Sequence, residues 1–183
     1  QFPRLSALDL SGAPDDIVSL PGQVIAELAG LSVLAELHLR NQFDLTAADL
    51  VGLAALPALT SLDLQGCCFR ADDEVLPSLG GLTRLKHLGL SRTLDQEISR
   101  RPTLLQPLYP LSRLESIDLR GNVLAPLQFG ALARLPALTT VHLDPDEAAF
   151  DVGGAQLVIA DEALRLVNDS LMVWNKVSTR SEQ

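Results

Sequence analysis

Leucine recurs along this chain in one repeated spacing, in which three steps of three residues are followed by one step of two residues. Five segments follow this order in full, and the start of the chain follows it in a shorter form. The hydrophobic residues just before the two-residue step are Leu8, Leu37, Leu62, Leu88, Ile117 and Val141, so successive repeats are offset by 29, 25, 26, 29 and 24 residues. A recurring period of this length indicates a repeat architecture, in which neighbouring repeats bury each other's apolar face.

The two-residue step places one polar residue between two hydrophobic residues, as in Leu37-His38-Leu39. This alternation predicts a short strand with one buried face and one face in solvent. Each repeat therefore supplies one strand, and the rest of the repeat returns the chain so that the next strand lies parallel to the last.

Residues 114–124 read LESIDLRGNVL and match the pattern L-x-x-L-x-L-x-x-N-x-L, with Ile117 at the second leucine position. In this pattern the chain resembles the leucine-rich repeat family, over about the first four-fifths of its length. The resemblance implies an α/β fold, a right-handed solenoid or horseshoe with a parallel concave β-sheet of about six strands, and with helices and loops on the convex side. We assign the repeats to residues 1–147 and predict a C-terminal cap at 148–183, with a helix and a polar tail.

The segments between the predicted strands differ from one repeat to the next. A helix is predicted from Thr46, which can cap it, and Asp49 lies near its positive end. Residues 21–31 and 125–135 also predict helices, each with a proline at or near its start. Residues 93–111 contain three prolines and predict a looped-out excursion on the convex side.

One position after each strand predicts a side chain that satisfies backbone groups of the turn. It holds Gln42, Cys67, Thr93, Asn122 and Asp146, with Ala13 in the first repeat. Asn122 is the commonest choice in the family pattern, and Cys67 also fits that pattern. We expect these side chains to point inward and to hold the turns together.

The two ends of the chain differ in kind. The chain begins in repeat phase without a capping element, so we expect it to come from a longer protein. After Leu143 the leucine phase stops; residues 156–159 predict a short strand, and a helix is predicted from Asp161. The apolar stripe of that helix is Leu164, Val167, Leu171 and Trp174. The alternative is that this end begins a linker or a second domain.

Composition argues against several classes of partner. No apolar run approaches the ~20 residues needed to cross a bilayer, so we expect no membrane partner. The formal net charge of -9 argues against nucleic acid, because phosphate neutralisation needs clustered lysine and arginine. Cys67 and Cys68 are the only cysteines, whereas extracellular proteins of this family commonly carry disulfide-bonded caps. We expect a monomer that is cytoplasmic or delivered into a host cytosol, in a reducing compartment.

The polar residues of the strands point into solvent from the concave sheet, and neighbouring strands lie about 4.8 Å apart. A central column runs Asp9, His38, Asp63, Gly89, Asp118 and His142, and all three histidines of the chain lie on this face. The face lacks aromatic residues, which leaves Tyr109, Arg100 and Arg101 in the 93–111 segment as anchors outside the sheet. The residues that we predict to contact a partner are Glu36, His38, Arg40, Asp63, Gln65, His87, Arg92, Asp118, Arg120 and His142.

Catalysis and metal binding are weaker interpretations of the same residues. Ser61, His38 and Asp63 are the residue types of a hydrolase triad, but an open sheet offers no oxyanion hole and excludes no water. His38 and its neighbouring acids supply three ligands for a metal ion and lack a fourth. We therefore predict no catalytic, cofactor-binding or metal-binding residues in this chain.

These observations favour a module that binds another protein through the concave sheet, with the 93–111 excursion as a second candidate surface. Arginine outnumbers lysine, which is typical of GC-rich genomes, and together with the cytosolic character this favours part of a larger bacterial, effector-like protein. The alternative is a structural scaffold or assembly domain within a multidomain protein. An enzyme is the least favoured interpretation for this chain, although a catalytic domain can lie elsewhere in the parent protein.

Overall fold

The computed structural model describes residues 4–13, 22–43, 45–67, 69, 75–94, 103–124 and 131–143, and the backbone of strands at 156–160, 163–165 and 172–174. Six short strands follow chain order in one sheet: β1 (Ala7–Asp9), β2 (Glu36–His38), β3 (Ser61–Asp63), β4 (His87–Gly89), β5 (Ser116–Asp118) and β6 (Thr140–His142). Neighbours are parallel, and equivalent repeat positions face each other, from Leu8 opposite Leu37 to Ile117 opposite Val141. The predicted six-stranded parallel sheet and its register are confirmed.

One continuous hydrophobic core lies between the sheet and the return segments. Leu37 and Leu39, the leucines on either side of His38, have no exposed surface. Leu50 and Leu53 are equally buried from the convex side. Because no repeat can bury these side chains alone, the stability of each repeat depends on its neighbours.

Within the described residues, the convex side carries three complete helices and a short 3-10 turn, each packed on the next. They are α1 (Gly22–Leu28), α2 (Ala47–Leu53), α3 (Val75–Leu79) and the 3-10 turn Gln106–Leu108. The helices predicted at 21–31 and from Thr46 are confirmed. At the start of α2, the Asp49 N–H donates to the Thr46 hydroxyl at 3.4 Å, and the Thr46 N–H donates to the Asp49 carboxylate at 2.8 Å. This reciprocal pair satisfies two backbone donors that the helix itself leaves unpaired.

Two return segments differ from the expectation. Sequence reasoning missed α3, whose Pro77 stands in the first turn, where a backbone N–H has no intrahelical partner to lose. Of the predicted excursion at 93–111, residues 95–102 lie outside the described part. The rest is a packed return rather than a loop in solvent, because its apolar residues join the core. Its buried residues are Leu104, Leu105, Leu108 and Leu111.

Tyr109 lies in this packed return and is half-buried against the core. The guanidinium of Arg134 lies over its ring, 5.7 Å from the centroid. Tyr109 is therefore engaged within the chain and is a poorer anchor for a partner than the sequence indicated. Most of the helix predicted at 125–135 lies outside the described residues.

Four buried side chains form what we call the turn column: Gln42, Cys67, Thr93 and Asn122. Each donates a hydrogen bond to an equivalent carbonyl of the preceding repeat. The bonds run from Gln42 to Leu10 at 2.7 Å, Cys67 to Leu39 at 2.9 Å, Thr93 to Leu64 at 2.9 Å and Asn122 to Leu90 at 2.7 Å. The predicted inward role of these four residues is confirmed, and Asp146 lies outside the described residues.

Beyond β6 the backbone extends the sheet in the order β6-β8-β7-β9. The added strands are β7 (Gln156–Ala160), β8 (Ala163–Arg165) and β9 (Met172–Trp174). The strand predicted at 156–159 is confirmed within β7. The predicted helix from Asp161 is wrong at Leu164 and Trp174, which lie in β8 and β9. The open edge of β6 offers unpaired backbone groups, and β8 pairs with them antiparallel, which a helix cannot do.

The remaining positions of the predicted helical stripe, Val167 and Leu171, lie outside the described residues. Among the helices of the described part, none has the length and apolar character needed to span a bilayer.

Candidate functional site

The strand register places the predicted contact residues in adjacent columns at one face of the sheet. Glu36 and His87 share the column at the N-terminal ends of the strands with Ser61 and Ser116. The central column runs His38, Asp63, Gly89, Asp118 and His142, each opposite the next. Arg40, Gln65 and Arg120 follow at the C-terminal ends, and Arg92 lies one position further along. Their role in binding stays a prediction.

A depression of about 180 Å³, which we call the central depression, opens in the middle of this face. Gly89 is the residue of the central column that has no side chain, and its position leaves the space. The charged and polar lining residues are Asp63 and Asp118 on either side, His38 and His142 at the two ends, and Ser61, His87 and Ser116 toward the start of the strands.

Gly89 is also required by a close approach from the neighbouring strand. A β-carbon at this position would lie 2.6 Å from Oδ1 of Asp63 and 3.0 Å from its Cγ. The Asp63 carboxylate therefore leans over β4, toward the depression. Any larger residue at position 89 would displace this carboxylate and fill the space at the same time.

The Asp63 carboxylate is held by two hydrogen bonds, and a third polar group lies close to it. Its Oδ2 accepts a hydrogen bond from Nε of Arg40 at 2.6 Å, and its Oδ1 accepts one from the backbone N–H of Gln65 at 3.0 Å. Nδ1 of His38 lies 3.6 Å from Oδ2, which is beyond hydrogen-bond distance. Among the described residues this buried nitrogen has no hydrogen-bond partner. The predicted acid–base neighbours are thus adjacent, with arginine as the stronger partner.

Asp118 forms the matching wall on the other side. Arg120 lies two residues after Asp118 and donates two parallel hydrogen bonds to its carboxylate, from Nε to Oδ1 at 3.0 Å and from Nη2 to Oδ2 at 2.7 Å. The arginines of both walls are nearly half exposed. Such pairs contribute only about 0–1 kcal/mol to folding, so they orient the carboxylates more than they stabilise the sheet.

Two further carboxylates at the margins of the face have shifted pKa values. Hydrogen bonds from Ser11, and then the charges of His38 and Arg40, hold the pKa of Asp9 below its ordinary value. Glu115 accepts a hydrogen bond from Lys86 at 2.7 Å, which lowers its pKa. Both groups are therefore ionised over the whole neutral range, and the margins of the face keep fixed charges.

Sequence reasoning placed Gly89, Ser61 and Ser116 in their columns but did not select them as contact residues. The available signal was the glycine itself, because glycine inside a strand marks a close approach of other groups. The depression follows from that glycine together with the polar residues on both sides.

Within the described residues, the residue types of a hydrolase triad or metal site are not brought together. Ser61 stands opposite Glu36 and His87 rather than His38. Among the described residues no serine hydroxyl is hydrogen-bonded to a histidine, and no group of three or more His, Cys, Asp or Glu side chains could hold a metal ion. What the face can do is donate and accept hydrogen bonds, through imidazole, hydroxyl, guanidinium and carboxylate groups.

A larger depression of about 300 Å³ lies away from this face, where the chain leaves α2 and α3. It is lined mainly by small and apolar residues, including Ala54, Pro57 and Gly81, and its one ionisable lining residue is Arg84. The Arg84 guanidinium donates to the carbonyl of Pro57. With its one charge engaged, this depression offers less recognition chemistry than the central one.

Comparison with known proteins gives structural matches alone. No protein-family model and no curated protein matches the sequence. The TLR13 chain of a TLR13-ssRNA13 complex matches with 22% identity and a TM-score of 0.52, over 78% of this chain and 22% of that one. From Listeria monocytogenes str. 4b F2365, internalin C2 matches with 24% identity and a TM-score of 0.40, over 70% of this chain and 62% of that one. The internalin inlF of the same strain matches with 17% identity and a TM-score of 0.31, over 79% and 56%.

This chain therefore spans about a fifth of the TLR13 chain and less than two-thirds of either internalin. All three are leucine-rich repeat proteins. The TLR13 match, together with the leucine spacing and the strand register, shows that the fold is shared. At these identities it shows nothing of what the chain binds.

Proposed function

We propose that this leucine-rich repeat protein is a recognition module that binds another protein through its concave sheet, with the central depression as the main contact. The depression itself is the observation that carries the proposal, because it combines a concave shape with two oriented carboxylates and with imidazole and hydroxyl groups. Binding sites typically pair such a shape with a few placed polar groups.

The exposed column supports this proposal because the core does not dictate its residues. The leucines beside His38 and Asp63 are buried and fixed by packing, whereas these polar residues are themselves half-exposed. Their side chains have hydrogen-bonding capacity left over, since each carboxylate oxygen accepts more than one bond. A partner side chain or backbone that enters the depression would meet donors and acceptors on every side.

A protein partner fits the charge of the molecule better than a nucleic acid does. The net charge is -9, and the arginines beside Asp63 and Asp118 are already paired. Phosphate backbones are bound by clusters of free cations, which release counterions on binding. TLR13 is in complex with ssRNA13, so RNA is the competing ligand class that an experiment must include.

We further propose that the chain belongs to a larger bacterial protein of the effector type, with repeats at 1–147 and a cap at 148–183. The excess of arginine over lysine supports a GC-rich genome. The chain has two cysteines, the neighbours Cys67 and Cys68, rather than the set of spaced cysteines that disulfide-bonded caps use, which suits a reducing cytosol of the bacterium or of a host. We assign no catalytic role to this chain, and any such activity would belong to another part of the parent protein.

Site-specific photocrosslinking tests the proposed surface. A photoreactive benzoylphenylalanine at Glu36, which is exposed beside the lining residue Ser61 and leaves the depression open, should capture a protein from bacterial or animal cell lysate. The matched control is Val51, which is 57% exposed on α2 at the convex side. Mass spectrometry identifies the captured protein, and calorimetric titration of that purified protein gives its affinity. Capture at Val51 with none at Glu36 would contradict the proposal, and so would capture of RNA alone.

If the alternative is right and the face docks onto another domain, the crosslink has a different signature. The captured peptide would then come from the parent protein itself rather than from a second protein. Mass spectrometry distinguishes these two results directly.

A further inference from the structure

Four consecutive repeats place one residue in the left-handed backbone region, two positions after the last strand leucine. These residues are Asn41, Gly66, Arg92 and Gly121, with φ of 56°, 73°, 52° and 73°. Left-handed backbone is free of steric cost for glycine, whereas a β-carbon crowds the neighbouring carbonyl. Two repeats use glycine here, and asparagine is the other residue that tolerates the region well. Arg92 is the exception among the four.

Asn41 gains a local hydrogen bond from its position and Arg92 does not. The Asn41 side chain donates to the backbone carbonyl of Gly12 at 3.0 Å, which ties two repeats together. Among the described residues, the Arg92 guanidinium has no hydrogen-bond or ion-pair partner. Arg92 therefore lies in a strained backbone region, and among the described residues its guanidinium makes no hydrogen bond or ion pair that would offset the strain. Such strain is concentrated at functional positions.

The neighbouring repeat makes room for the Arg92 side chain. A β-carbon on Gly121 would lie 2.3 Å from Cγ of Arg92 and 3.3 Å from its Nε. The arginine stem therefore lies across the backbone of Gly121, beside Arg120, and the side chain is exposed at the C-terminal edge of the sheet. Arg120 is already occupied by Asp118. Among the described arginines at this edge, Arg40 and Arg120 are paired, so Arg92 is the cation available to a partner.

We propose that Arg92 is an anchoring contact that binds one carboxylate side chain of the partner protein, next to the central depression. This inference rests on the proposed function and specifies the partner's chemistry. A guanidinium matches a carboxylate with two parallel hydrogen bonds, and the pairing is stronger than a neutral one. Because the chain has a net charge of -9, Arg92 suits a single carboxylate, whereas a polyanion, whether peptide or nucleic acid, would meet repulsion from the rest of the surface.

The first test separates stability from binding and uses the chain alone. Arg92→Gly relieves the left-handed strain, so its midpoint of thermal unfolding should equal or exceed that of the wild type. Arg92→Ala keeps the β-carbon and should unfold at a lower temperature than Arg92→Gly. If Arg92→Gly instead lowered the midpoint as much as Arg92→Ala does, Arg92 would serve the fold, and the reason for assigning it to binding would be lost.

The second test measures the contact itself with defined probes. NMR follows the Nε–H signal of Arg92 during titration with an end-blocked glycine hexapeptide that holds one glutamate, the same peptide with glutamine in place of the glutamate, and a single-stranded RNA hexamer. The glutamate peptide should shift this signal and the glutamine peptide should not, and Arg92→Gly should weaken glutamate binding by about tenfold. No shift with glutamate, or a stronger shift with RNA, would overturn the inference.

A failure here is distinguishable from a failure of the proposed function. If a protein is captured through Glu36 and binds Arg92→Gly and wild type equally well, the concave sheet is a recognition surface and the role of Arg92 is wrong. If nothing is captured through Glu36, the proposed function fails, whatever the glutamate titration shows.

Discussion

The turn column and the central column are both varied from repeat to repeat, but for different reasons. In the turn column, Gln42, Cys67, Thr93 and Asn122 share one task, because each donates to an equivalent carbonyl of the preceding repeat. Any donor of suitable reach suffices there, so amide, thiol and hydroxyl side chains are interchangeable in kind. Variation in this buried column thus carries no information about a partner.

The central column has no task that every repeat shares. Asp9, Asp63 and Asp118 each accept a hydrogen bond from the backbone N–H two residues further along, whereas His38 and Gly89, at equivalent positions, offer no carboxylate for this contact. A cluster of ionisable groups around a glycine is not needed to pack the leucines beneath it. In a repeat protein, sequence variation at a repeat position therefore indicates binding only where the repeats do not all use that position for the same structural contact.

The largest effect on stability is expected for Asn122 in the turn column. This side chain accepts from the N–H groups of Thr93 and Leu94, at 3.0 and 2.8 Å, and donates to Leu90 and Leu119, at 2.7 and 2.8 Å. Asn122→Leu would leave buried backbone groups of two repeats without these partners, so we expect a loss of about 4 kcal/mol in unfolding free energy. Urea unfolding measures this.

The adjacent Val123 provides the control, since it is 59% exposed. Val123→Ala should change the unfolding free energy by less than about 0.5 kcal/mol. A similar small change for Asn122→Leu would show that the turn column does not carry the stability assigned to it.

The opposite result is expected for the arginines of the concave face. Arg40→Gln combined with Arg120→Gln should weaken partner binding by about tenfold, because the arginines that orient the carboxylates of Asp63 and Asp118 are then absent. The unfolding free energy should change by less than about 1 kcal/mol, since exposed pairs contribute little. Glutamine is preferred to glutamate here, because a glutamate would stand against Asp63 or Asp118 and disturb the sheet. Unchanged affinity in a calorimetric titration would move the site to the convex side or to the ends.

Thr93→Val is a nearly isosteric change that measures the contribution of one turn-column hydroxyl to stability. The hydroxyl of Thr93 donates to Leu64, but that carbonyl also accepts from the N–H of Cys67 at 3.1 Å. The loss should therefore be only about 1 kcal/mol, well below that of Asn122→Leu. Equal losses for the two variants in urea unfolding would mean that the number of bonds made by each side chain does not set its contribution.

The smallest effect concerns Asp9 at the edge of the exposed face. Because the pKa of Asp9 is lowered on folding, mainly by hydrogen bonds from Ser11, the carboxylate stabilises the fold above its unfolded pKa. That contribution is lost as pH falls through the folded pKa. Wild type should exceed Asp9→Asn by about 0.3 kcal/mol at neutral pH, given solvent screening, and the difference should vanish in acid. A difference that grew as pH fell would contradict the assigned contacts.

The repeat spacing was enough to predict the sheet because the L-x-L step fixes which face of each strand is buried. The same logic predicted the turn column and, from Thr46 and Asp49, the start of α2. It failed at Leu164 and Trp174, where an apolar stripe at helical spacing competes with strand pairing at the open edge of β6, and spacing alone does not decide between them. The packed return at 103–111 was missed because its prolines outweighed its leucines in the sequence argument.

The candidate site was predictable only in outline. The columns follow from register, but the central depression depends on Asp63 leaning across Gly89, which is a contact between different repeats. The backbone strain at Arg92 is also invisible in the sequence, because an arginine there gives no local signal of a left-handed conformation. Three-dimensional neighbours, rather than residue types, define both features.

The most direct measurement is the affinity of a protein captured through Glu36 for a variant whose depression is filled. Ser116→Tyr adds bulk at the depression in a residue that suits a strand, and Val51→Tyr adds the same bulk on the exposed side of α2. Calorimetric titration should give about tenfold or greater loss of affinity for Ser116→Tyr and none for Val51→Tyr, with both variants folded. Equal affinities for wild type and Ser116→Tyr would contradict the claim that the central depression is the recognition site.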